Sequence, residues 1–136
     1  MPQASLDSIV QAYERGGVKA LGSIVDGVPP SDEWLEMLVT GAAEGRASVP
    51  STWLLRAYLE RGAELSRKET ARLLRSLGRL KDDDARLHVC QLVGLLDVPA
   101  RNAEQLARFL REGVTGAHKF TRAWATDAFQ RLAQQH

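Results

Sequence analysis

The sequence has one cysteine, Cys90, among 136 residues. That excludes an intrachain disulfide and leaves no basis for a cysteine-built zinc site. No apolar run approaches the roughly 18 residues that a membrane span requires. The opening residues, Met1-Pro2-Gln3-Ala4-Ser5-Leu6-Asp7, have neither the basic nor the apolar region of a signal peptide. These absences lead us to expect a reducing, cytoplasmic setting with no membrane partner. His88, His118 and His136 have no metal-ligand spacing, and there is no phosphate-binding glycine loop, nucleophile elbow or HExxH motif. Asp82-Asp83-Asp84 stands just ahead of a helical stretch, where carboxylates favour the positive end of the helix dipole without any bound cation. The expectation is a chain without catalytic residues, cofactor or metal. Aromatics are also scarce, at 6%.

What is present is ordinary globular composition, 44% hydrophobic and 26% charged, which excludes a disordered tail. The net charge of +1 lacks the overall electrostatic footprint of a nucleic-acid binder. The charge is uneven, however. Residues 1–64 carry five Lys/Arg against nine Asp/Glu, and residues 65–136 carry thirteen against eight. Any phosphate-binding activity therefore belongs to the C-terminal half.

Apolar spacing is helical throughout, and no segment alternates as a half-buried strand would. Leu6, Ile9, Val10 and Tyr13 define a first helix after the cap Ser5, ended by Gly16-Gly17. Val18, Leu21, Ile24 and Val25 define a second, closed by Gly27 and Pro29-Pro30. Ser31 caps a third, and a fourth runs from about Ser48 to Arg61 with Pro50 tolerated in its first turn. Beyond them the chain repeats. Ser66-Arg67-Lys68-Glu69 reads as a capping box, and Asn102-Ala103-Glu104-Gln105 as its counterpart 36 residues on. Ala71-Arg72-Leu73-Leu74-Arg75 matches Ala107-Arg108-Phe109-Leu110-Arg111, and Arg86 matches Arg122. A third copy lies upstream, with Ser31 answering to Ser66, Leu38 to Leu73 and Trp53 to His88. The pattern is a two-helix unit repeated along the chain.

The run Ala85-Arg86-Leu87-His88-Val89-Cys90-Gln91-Leu92-Val93-Gly94-Leu95-Leu96, after the acidic turn at Lys81-Asp82, resembles the second half of a HEAT repeat. Thr121-Arg122-Ala123-Trp124-Ala125-Thr126-Asp127-Ala128-Phe129 is similar to it, and the resemblance is clearest over residues 66–134. It implies one all-α domain over residues 1–136. The fold would be a short right-handed α-solenoid of stacked antiparallel helix pairs, with about eight helices.

Two surfaces stand out. Helical phase puts Trp53, His88 and Trp124 at equivalent places in successive units, with Arg86, Arg122 and Asp127 beside them. Read as a concave groove, they suit a protein or peptide partner, because Trp is enriched at binding hot spots. The expected function is therefore a small non-catalytic adaptor or scaffold. The alternative is a basic ridge of Lys68, Arg72, Arg75, Arg79, Arg108 and Arg111 that binds nucleic-acid phosphates. A third reading pairs two copies of the chain through apolar end faces. Cys90, beside the core face of its helix, is read as a structural thiol.

Overall fold

The structure is a computed structural model that describes residues 5–116 and 118–135; the residues before Ser5, and His136 among the histidines, lie outside the described residues. These contain seven α-helices and no strand: α1 (Leu6–Gly27), α2 (Asp32–Ala42), α3 (Ser48–Glu60), α4 (Arg67–Arg75), α5 (Asp83–Leu92), α6 (Ala103–Thr115) and α7 (Lys119–Gln135). Short 3-10 turns at Gly45–Ala47, Leu77–Arg79, Val93–Leu95 and Ala100–Asn102 link them. None of the described helices is long and apolar enough to cross a membrane.

Seven helices replace the expected eight because the break at Gly16-Gly17 is a kink. Gly17 has φ 62° and ψ −152°, inside what is otherwise the continuous run of α1. That combination belongs almost solely to glycine, so the helix changes direction there without being interrupted by a loop.

The caps explain several helix starts. Ser31 accepts a hydrogen bond from the Trp34 backbone N–H at 3.2 Å, and Ser66 does the same for Glu69 at 3.1 Å. The equivalence of the two serines thus extends to their geometry. The expected capping box at Ser66 is only half made: the Glu69 carboxylate turns instead to Arg72, 2.6 Å away. Asn102 departs further. It follows a 3-10 turn with helical φ and ψ of its own and makes no side-chain cap. Its amide donates to Gln105 Oε1 at 2.9 Å. A reciprocal box does form at Ser5 and Ser8.

The helices make two rows. In one, α4 lies between α2 and α6; in the other, α5 lies between α3 and α7, and α1 packs on the free side of α3. Within the hairpins α2 packs on α3 and α6 on α7. A single buried cluster runs through both rows, from Ile9 to Leu132. Leu21, Leu38, Leu54, Leu55, Leu73, Leu92 and Leu110 are sealed from solvent, and each contributes about 1.5–3 kcal/mol relative to exposure.

Close approach at one end of the core depends on Gly41, buried near the C-terminus of α2. A Cβ there would collide with the Ser51 side chain and lie 2.6 Å from Leu6 Cδ2. Gly22, by contrast, sits in α1 with open space around it. Urea unfolding should therefore show Gly41→Val destabilised by about 1–3 kcal/mol. Gly22→Ala should be stabilised by about 0.5–1 kcal/mol through helix propensity. Equal effects at the two sites would refute this packing.

Candidate functional site

The six residues expected to form a groove divide into two groups. Trp53, Arg86 and His88 are built into the seams between helices, whereas Arg122, Trp124 and Asp127 all stand on α7.

His88 faces α3. Its Nδ1 lies 2.9 Å from the Thr52 hydroxyl oxygen. That hydroxyl also lies 2.9 Å from the Ser48 carbonyl, to which it donates. The Thr52–His88 contact is one cross-helix hydrogen bond whose donor depends on the histidine tautomer. Burial, and secondarily the nearby Arg56 guanidinium, push the His88 pKa down to about 4; Asp84 and Asp82 oppose that shift. Trp53 is half-buried against the core, and the Arg56 guanidinium carbon is 5.4 Å from the centre of its ring. Both rings are partly exposed, and each is engaged by a side chain of α3.

Arg86 links α5 to α6. Its guanidinium reaches Glu112 at 3.0 Å and the Leu80 carbonyl at 3.2 Å, and stacks 4.6 Å from the Phe109 ring centre. Arg122, 36 residues later, repeats part of this arrangement: it donates to the Gly116 carbonyl at 3.1 Å. Both arginines thus hold the carbonyl six residues back, in the turn before their own helix. On α7, Trp124 is 41% exposed and Phe120, one turn earlier, is 62% exposed. Asp127 follows on the same side and pairs with Arg131 at 2.9 Å. Phe120 was missed in sequence because it falls at the start of its helix, ahead of the repeat pattern.

The basic ridge is also split. Arg72 is spent on the fold. Besides Glu69, its guanidinium holds the Thr40 hydroxyl and the Glu36 carbonyl of α2, each at 2.7 Å. Arg111 pairs with Glu104 at 2.9 Å. Lys68, Arg75, Arg79 and Arg108 remain exposed. Arg75 lines three adjoining depressions. One, of about 540 Å³, is shared with Arg67, Lys68 and Arg101. The second includes Arg72, Arg79 and Glu44, and the third includes Arg108 and Glu112. Arg67 and Arg101 were missed because the stripe was traced along single helix faces, whereas Arg101 comes from a turn.

A further depression of about 720 Å³ lies between α6 and α7, with Val114 and Phe129 in its lining and Arg108 and Arg111 at its edge. Cys90 is buried, and burial raises its thiol pKa to about 11, so it is not a thiolate at neutral pH. Among the described residues no three His, Cys, Asp or Glu side chains gather as a metal site would require. Comparison with protein-family models, curated proteins and solved structures finds no match to this chain.

The seam at His88 has a measurable signature. An unfolded histidine titrates near 6.5 and the folded one at about 4. Stability from neutral His88 is complete above pH 6.5. It is lost as pH falls towards 4, at up to about 1.4 kcal/mol per pH unit. Chemical unfolding between pH 6.5 and 5, above the carboxylate range, should show this slope in the wild type and a flatter one in His88→Asn. Parallel slopes would contradict the buried neutral tautomer.

Proposed function

We propose that the chain is a small HEAT-like α-solenoid that acts as a non-catalytic module for binding another protein, docking it along the outer face of α7. The two rows of helices and the Arg86/Arg122 correspondence support the repeat reading. In this reading the right-handed stack is a rigid frame, and a reducing compartment such as the cytoplasm suits its unpaired Cys90.

One observation carries the docking site. Phe120 and Trp124, one helical turn apart, expose large aromatic surfaces on one side of α7, and Asp127 and Arg131 continue that side as a polar edge. Exposed large apolar surface rimmed by polar groups is the composition of an interface centre. The groove expected from Trp53 to Trp124 is thereby reduced to its C-terminal end. Trp53 and His88 act as its supporting structure.

Nucleic-acid binding through the basic ridge is the weaker reading. Two of its six residues, Arg72 and Arg111, are committed to acids, and Glu44 and Glu112 interrupt the surface on either side of Arg75.

Capture of partners from nuclease-treated lysate of the source cells tests the assignment. Trp124→Ala should weaken recovery of the specific partner by at least about 2 kcal/mol of affinity, roughly thirtyfold. The helical circular dichroism should stay near wild type. Unchanged recovery, or material that appears only without nuclease, would refute docking on α7.

A further inference from the structure

Arg67, Lys68, Arg75 and Arg101 converge on one open depression whose floor includes Ala71 and Pro99. No acidic side chain lines it. Among the described residues none of the four cations has a hydrogen bond or an ion pair. Arg46, Arg56, Arg61, Arg72, Arg86, Arg111 and Arg131 are each held by a carboxylate, and Arg79 and Arg108, though without an ion pair among the described residues, line depressions that contain Glu44 or Glu112.

Two of the four stand where local physics opposes them. Arg67 and Lys68 are the first two residues of α4, the positive end of the helix dipole, where cations are disfavoured. Arg75 and Arg101 then add like charge from the end of α4 and from the 3-10 turn at Ala100–Asn102. The four exposed cations, with no carboxylate among them, leave a local excess of positive charge that an anion would complement, and locally unfavourable choices of this kind mark functional sites.

We propose that this depression binds a phosphorylated side chain of the partner protein. The proposal rests on the protein-binding reading only for the source of the phosphate. Its size and boundaries select the ligand. The space of about 540 Å³ takes a phosphate group with its flanking residues. Arginine presents paired N–H donors that match phosphate oxygens. The cation-only surface is confined to this one depression, because Glu44 lines one neighbouring depression and Glu112 the other. A nucleic-acid backbone extended along the face would meet those carboxylates, whereas a single phosphate would not. Nor does this depression offer an aromatic platform on which bases could stack.

Fluorescence anisotropy of the whole chain tests the site. Three probes serve: a degenerate heptapeptide library with a fixed central phosphoserine, the same library with serine, and a single-stranded 20-nucleotide DNA. The phosphoserine library should bind at least tenfold more tightly than the serine library. The double variant Arg67→Gln/Arg101→Gln should lose at least tenfold of that affinity, and the exposed single change Lys68→Glu should act in the same direction. Both variants alter only exposed side chains without internal partners and relieve like charge at the start of α4, so their thermal unfolding should come at or slightly above the wild-type temperature. Trp124→Ala should keep the phosphoserine preference, which separates this site from docking on α7. Equal binding of the two libraries would overturn the proposal, as would wild-type affinity in both variants. Tighter binding of the DNA, lost in the same variants, would overturn it in favour of nucleic acid.

Discussion

Helix α3 is enclosed by α1, α2 and α5, and the positions of these three follow from that enclosure. Nine of its thirteen residues are buried, so it has almost no polar face to give to water. A helix apolar on most sides must be covered on most sides. Its composition allows this. Ser51 is small enough for α2 to approach at Gly41, and Thr52 returns its hydroxyl to its own backbone while meeting His88. Tyr58 reaches outward: its hydroxyl accepts from the Trp34 indole N–H at 2.9 Å and donates to the Val28 carbonyl at 2.8 Å. One side chain thus ties α2 and the end of α1 to α3. Burial raises the Tyr58 pKa, so the phenol keeps its proton and the chain of bonds stays intact at neutral pH.

Polar groups do the equivalent work elsewhere in the stack. Arg72 joins α4 to α2 and Arg86 joins α5 to α6. These contacts fix which hairpin faces which neighbour, since apolar burial alone is non-directional. They also determine what is left for recognition. A guanidinium held by a carboxylate and a carbonyl inside a seam is unavailable to a partner. The side chains that these contacts leave exposed are Phe120 and Trp124 on α7 and the cations around Arg75, and the proposed function rests on them.

Helix identity was legible in the sequence because it depends on local periodicity and on short-range caps. Ser31 and Ser66 cap their helices alike, and Arg86 and Arg122 hold matching carbonyls, both at the spacing the sequence displays. The role of each side chain between units was not legible. Helical phase placed His88 at the edge of the core face, but that edge is a groove or a seam depending on how closely α3 and α5 approach. Arg72 has the phase of a surface stripe, and only the Thr40 hydroxyl and Glu36 carbonyl of α2 turn it inward. Asn102 does not cap α6 because it is the last residue of a 3-10 turn, which spacing rules do not reveal. Arg101 escaped attention for the same reason.

The most direct test of the stack is a solution measurement of nuclear Overhauser contacts between units. The account requires contacts between the Thr52 methyl and the His88 ring, and between Thr40 and the Arg72 side chain. Observing both would place α5 on α3 and α4 on α2 in the order described. Their joint absence in a chain with full helical circular dichroism would mean that the helices pack differently. In that case both the α7 docking face and the basic depression would lose their foundation.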